Sequence, residues 1–279
     1  MFDSARRYFL RDPVGFIKAI ASDPAETINA VRERIVARRG RHVPPDVYVA
    51  DADWQRWLHD RLGLPWPCPL SSEFYDLWPQ VVAELEGKGI RVGPMSFKNW
   101  NDGDAAFVRA IWCLTRHLRP AKVVETGVAH GMTSRFILEA LERNGAGHLW
   151  SVDYPPLDEA YHEQIGVAVP ADKRARWSYI RGSSRLRLPP LLAELKEIDL
   201  FIHDSLHSEA NVCFELERSW AALRRGGAIV VDDIDSNWGF HLFTRKLPQG
   251  AFVSCEAEPL RPDSRRFNQK GLFGIACKT

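Results

Sequence analysis

The residues best suited to do chemistry in this 279-residue chain are carboxylates that arrive in two short bursts, one of them with a histidine attached. The stretch DLFIHDSLHSEANVCFELERSW, 199–220, runs an apolar strand (Leu200, Phe201, Ile202) into Asp204, with His207 just beyond and Ser208 opening a helix. AIVVDD then brings Asp232 and Asp233 to the end of a second apolar run. If the two runs are neighbouring parallel strands, three carboxylates meet at one sheet edge. Converging anions raise one another's pKa, and a bound cation relieves them. An all-oxygen set with room for water and substrate suits Mg²⁺ or a similar hard ion. A hydroxyl chelated to that ion becomes more acidic, and His207 stands where a base could take its proton. Asp204, Asp232 and Asp233 are therefore the candidate metal ligands and His207 the candidate base. His203 alternates to the other side of the strand from Asp204 and is read as structural, as is His130.

A second chemical signal lies upstream in VVETGVAHGMTS, 123–134. An apolar β-branched pair leads into Glu125, then Gly127 and Gly131, then a helix opening near Met132. Glycines at such a turn let backbone pass close to a ligand, and the helix start presents N–H groups. Asp153 ends the next apolar run, HLWSVD, at a spacing that suits a carboxylate gripping ribose hydroxyls. A dinucleotide would require G-x-G-x-x-G to lay its pyrophosphate on the helix end. Here the glycines are spaced G-x-x-x-G, an acid stands at the loop's mouth, and the one nearby G-x-G (Gly145, Gly147) follows the helix instead of preceding it. A ligand with a ribose and a positive charge, but no phosphate, fits better.

Parallel strands must deliver these residues to one edge, and the pattern supplies them. From about residue 104, apolar runs and helical stretches alternate: KVVET, a helix over 136–141, HLWSVD, RWSYI, a helical LLAEL, DLFIHD, the helix from Glu209, and AIVVDD. Continuous apolar strands alternating with helices predict a parallel sheet covered on both faces. AFVSC and GLFGIAC follow with only a loop between them, as an antiparallel hairpin. The expected core, 101–279, is a doubly wound, mostly parallel seven-stranded α/β sheet with that hairpin at its end. Phe107, Val108, Ile111, Leu114 and Leu118 line a helix stopped by Pro120, and the Arg224-Arg225-Gly226-Gly227 run is read as ending the helix from Glu209. Residues 1–100 read as a helical extension, either a cap or a dimer element. Within it, Asp23-Pro24-Ala25-Glu26 opens a helix along which Ile28, Val31 and Ile35 recur, closed at Arg38, Arg39 and Gly40; Pro44-Pro45 and LPWPCP are breakers. Five of the ten tryptophans (Trp54, Trp57, Trp66, Trp78, Trp100) fall within the first hundred residues, read as core packing in preference to an aromatic wall over a ligand.

Composition removes several classes of function. Lys+Arg at 37 balance Asp+Glu at 36, so no net field draws the chain to nucleic acid or a membrane surface. The start has no apolar leader and no stretch is long enough to span a bilayer, so the expected location is cytoplasmic. Five cysteines (Cys68, Cys113, Cys213, Cys255, Cys277), odd in number and without C-x-x-C, argue against a disulfide framework or a zinc site.

With Glu125-x-Gly127-x-x-x-Gly131, an acid ending the second strand and a terminal hairpin, residues 100–279 resemble the class I S-adenosylmethionine-dependent methyltransferases. The resemblance implies that Glu125, Gly127 and Gly131 line the methionine end of the cofactor, with Thr133 beside them, Asp153 at the ribose and Ser183 near the adenine. Asp204-x-x-His207 followed by Asp232-Asp233 resembles the metal-dependent O-methyltransferases of macrolide and rhamnosyl sugars. This implies Mg²⁺ on the three aspartates, His207 as base, and a small-molecule or glycosyl hydroxyl as acceptor; a homodimer through the extension is one reading. Two alternatives compete. A nucleotide-sugar transferase could use Asp233-Ile234-Asp235 as a D-x-D metal motif, although Asp51-Ala52-Asp53 and Asp102-Gly103-Asp104 match it equally. A non-catalytic binding protein on the same fold would be expected to have lost Gly131, Asp153 or the aspartates.

Overall fold

The computed structural model describes residues 23–37, 47–92, 100–101, 103–154, 159–258 and 271–279. Seven strands form its main sheet: β1 (Lys122–Thr126), β2 (His148–Asp153), β3 (Trp177–Arg181), β4 (Ile198–His203), β5 (Leu223–Val231), β6 (Phe252–Glu256) and β7 (Leu272–Cys277). Their spatial order is β3-β2-β1-β4-β5-β7-β6. All pairs from β3 to β5 are parallel, and β7 runs antiparallel to both β5 and β6. The chain leaves β1 for β2 on one side and later returns to β4 on the other, so the switch point lies between β1 and β4.

Among the described residues the α-helices are α1 (Pro24–Ala37), α2 (Trp54–Leu62), α3 (Ser71–Gly87), α4 (Ala105–Leu118), α5 (Met132–Asn144), α6 (Ser184–Leu195), α7 (Glu209–Ala222) and α8 (Gly239–Thr244). Successive residues of a strand point to opposite faces, which divides the core in two. On one face Val123, Leu149, Leu200, Ile202 and Val230 pack with Phe107, Ile111, Leu114, Phe136 and Ile137 of α4 and α5. On the other, Val124, Val152, Phe201, Ile229 and Val231 pack with Leu188, Leu192, Val212, Leu216 and Phe240 of α6, α7 and α8. Both faces of the central strands are covered, as their unbroken apolar runs require.

Described parts of the N-terminal segment share the first of these cores. Trp54 meets Phe273 edge-on at 5.3 Å, and Phe74 and Trp78 lie 5.3 and 5.5 Å from Phe136. These tryptophans pack; they do not wall a crevice. Among the described residues no helix is long and apolar enough to cross a membrane.

Two local expectations are corrected. Ile28, expected on the inward face of its helix, is 69% exposed, while Glu26, Thr27 and Asn29 are buried; the side chains of Val31 and Ile35, and residues 38–46, lie outside the described ones. Asp23 does start this helix, accepting from the Glu26 N–H at 3.1 Å. Arg224–Gly227 belongs to β5 rather than to a helix cap, since α7 already ends at Ala222. There Gly227 passes so close to Asp199 that a Cβ would stand 2.7 Å from its carbonyl oxygen, and Arg224 pairs with the Asp199 carboxylate. Close strand approach, not helix termination, accounts for the glycine.

Candidate active site

Strand register assembles the site. Val152, Thr126, His203 and Val231 form one row across β2, β1, β4 and β5. The next residue of each chain is Asp153, Gly127, Asp204 and Asp232, and the ladder carries on through Gly127 N–H to Val152 O, Asp204 N–H to Thr126 O and Asp232 N–H to His203 O, each 2.9 Å. Three acids and a glycine thus stand side by side at the carboxyl edge, across the switch point.

The glycines answer first to the protein's own backbone. Gly127 has φ +88°, and a Cβ there would fall 1.9 Å from the Asp204 carbonyl oxygen. Gly131, at φ +81°, lies against Gly166, whose Cα would be 2.9 Å from such a Cβ. Gly131 starts α5 without any side-chain cap, which leaves the first-turn N–H groups to other acceptors. Thr133 is buried in that turn.

Glu125 is fully buried, its Oε2 accepting from Ser134 Oγ and Ser151 Oγ, both at 2.6 Å, while no partner reaches Oε1. Burial pushes its carboxyl up to about 8, and Asp204 and Asp153 add to the effect. Through these two bonds it joins the start of α5 to β2 across the loop. Asp153 accepts from the Val128 N–H at 3.2 Å and from Tyr179 Oη at 3.4 Å. Burial raises it to about 6, with a further push from Asp204. Ser183 is already engaged: its N–H donates to Glu26 Oε1 at 2.9 Å and its hydroxyl accepts from Asn29 Nδ2 at 2.9 Å. The third strand's loop is therefore held by α1, and Arg187 reaches Asp23 and Glu26 at 3.4 Å each.

Asp204, His207 and Asp232 offer ligand atoms that all lie within 4.8 Å of one another. His207 Nε2 stands 3.6 Å from Asp204 and 3.9 Å from Asp233, so Asp233 lies within reach of the imidazole but outside the three-residue group. The donors present are two carboxylates and an imidazole with a third carboxylate adjacent; carboxylates suit a hard divalent cation, an imidazole a softer one.

Sequence reasoning missed the support beneath this group. Glu215 of α7, fully buried, is met on Oε2 by His203 Nδ1 at 2.6 Å and Thr126 Oγ1 at 2.5 Å, and on Oε1 by Ser205 Oγ at 2.8 Å and Asn211 Nδ2 at 2.9 Å. Burial alone would raise its pKa, but His203 and these hydrogen bonds hold it down at about 2. A signal existed: Glu215 shares the inward face of its helix with Val212, Leu216 and Ser219. One acid of each D-x-D match makes local contacts. Asp235 accepts from the Leu272 N–H, Asp104 caps α4 through Ala106 and Phe107, and Asp51 accepts from the Asp53 N–H.

Residues 124–234 match the family model described as a methyltransferase domain. The matched segment takes in the glycine loop and the acids Asp153, Asp204, Asp232 and Asp233. No curated protein matches the chain. Among solved structures, it is similar to the O-methyltransferase TomG from Streptomyces achromogenes, involved in tomaymycin synthesis and in complex with SAM, at 13% identity and TM-score 0.47, over 82% of this chain and 100% of that one. It is also similar to an O-methyltransferase from Bacillus cereus in complex with SAH, at 11% identity and TM-score 0.47, over 81% of this chain and 97% of that one. A third, cofactor-bound Rv0187 from MTB, has 16% identity and TM-score 0.46, over 85% of this chain and 98% of that one.

Proposed function

We propose that the protein is an S-adenosylmethionine-dependent O-methyltransferase that methylates a hydroxyl of a small molecule or glycosyl group with the help of Mg²⁺. The observation that carries this reading is the meeting of Asp204, His207 and Asp232 on the strand edge that also ends in Asp153 and Gly127. The cofactor, when bound, supplies an activated methyl on a sulfonium and leaves the protein to align and deprotonate. Asp153 would accept the ribose hydroxyls, and the α5 N-terminus and glycine loop would take the methionine end. A field set by Asp153, Asp204 and the other carboxyls suits a cationic ligand and opposes a phosphate. Asp204, Asp232 and Asp233 would hold the cation, which lowers the pKa of the acceptor hydroxyl. His207 would accept that hydroxyl's proton, and the carboxylates beside it complement the charge it gains.

The test joins turnover to metal affinity. Methyl transfer to a panel of sugar and phenolic hydroxyls should require S-adenosylmethionine and a divalent ion, and Asp204→Ala should abolish it. His207→Ala should remove turnover while leaving Mg²⁺ affinity within a few-fold. A parallel loss of affinity would make His207 a ligand instead of the base. Turnover undiminished by chelator would sink the metal-assisted mechanism.

A further inference from the structure

Four further metal-binding side chains converge that no part of the methyl-transfer reading uses. His59 comes from the last turn of α2, Cys68 from the loop leading to α3, and Cys113 and His117 from α4, where a spacing of four sets them on one face. Their ligand atoms, one from each residue, all lie within 4.8 Å of one another. Cys113 Sγ is 3.4 Å from His59 Nε2, and Cys68 Sγ is 3.4 Å from His117 Nε2.

We infer that His59, Cys68, Cys113 and His117 form a structural zinc site that staples the N-terminal helices to the methyltransferase core. Tetrahedral zinc with sulfur at about 2.3 Å and nitrogen at about 2.0–2.1 Å places neighbouring sulfur and nitrogen donors roughly 3.5 Å apart. Both observed sulfur–nitrogen distances match that figure. The surroundings orient the donors as zinc ligands are oriented elsewhere. His59 Nδ1 lies 2.7 Å from the Pro65 carbonyl, which takes its proton and turns a bare Nε2 toward the cluster. His59 and Cys113 are buried, and Trp66 packs edge-on against His59 at 5.2 Å. Four protein donors fill a tetrahedron and leave no position for substrate or water, so the role is structural. Two sulfurs and two imidazoles also select zinc over the hard cation that suits Asp204 and Asp232.

The experiment is elemental analysis of the full-length protein, purified without a histidine tag. About one zinc per chain should survive gel filtration, and Cys68→Ser or His117→Asn should leave less than about a tenth of it. The double change Asp204→Asn/Asp232→Asn should keep the zinc, which separates this site from the catalytic one. If the cysteine and histidine variants do not fold, wild-type protein produced in cobalt medium gives the reading. Thiolate-to-cobalt charge transfer with intense tetrahedral visible bands is expected, and weak octahedral bands would overturn the inference. Protein without zinc, or a Cys68–Cys113 disulfide found by peptide mapping under non-reducing conditions, would overturn it as well.

Discussion

At the scale of single residues, Glu125 and Asp153 are held above their ordinary ionisation, each for a reason that can be tested. Glu125 is raised to about 8 by burial. A carboxyl whose folded pKa is raised keeps its proton in the native state and loses it in the unfolded one. Its contribution is complete below about pH 4.5 and is lost as pH rises through 8. Between pH 6.5 and 8, wild-type stability should therefore fall more steeply than that of Glu125→Gln, with a difference approaching ~1.4 kcal/mol per unit at the low end. Urea unfolding at several pH values measures it, and parallel slopes would refute the assignment. Asp153, at about 6, makes a second prediction. Below that pH the free carboxyl carries a proton and loses its charge-assisted bonds to hydroxyls, so S-adenosylmethionine should bind more tightly at pH 7.5 than at pH 5. Calorimetry should find Asp153→Ala weaker by about 10- to 100-fold at the higher pH.

At the scale of elements, Glu215 ties the ends of β1 and β4 to α7. Removing its carboxylate leaves the buried His203 without this partner and takes an acceptor from Thr126 and Ser205, so Glu215→Ala should cost about 3–5 kcal/mol in chemical denaturation. Gly127→Ala should cost at least ~1–2 kcal/mol from the left-handed backbone alone, and more because the Asp204 carbonyl occupies the space. Both changes would move Asp204, so their methyl-transfer rates should fall further than their stabilities explain.

Across the whole molecule, the described contacts that fix α1 to the loop after β3 are polar. Glu26→Ala would leave the Ser183 N–H without its acceptor and loosen Arg187, at a cost of about 1–3 kcal/mol. Because this helix holds the loop after β3, weaker S-adenosylmethionine binding with unchanged zinc content is expected, measured on the same preparation. The strand-to-helix alternation made the doubly wound sheet, its antiparallel end and the carboxyl edge legible, and Asp153, Asp204 and Asp232 arrive there together as expected. Local patterning carries that much because a strand buried on both faces must be continuously apolar, and its end must emerge at the sheet edge.

By itself, then, the sequence determined the sheet, its edge and the acids that edge carries, all of which follow from period and from where apolar runs stop. Only the tertiary structure decided what meets across the chain. Gly127 is required by the Asp204 backbone, Ser183 is held by Glu26 and Asn29, Glu215 gathers His203 and Thr126, and two cysteines and two histidines from three elements close into one cluster. Contacts of this kind depend on strand order and helix docking rather than on spacing. A scan for C-x-x-C accordingly passes over Cys68 and Cys113, because folding, not sequence, makes them neighbours.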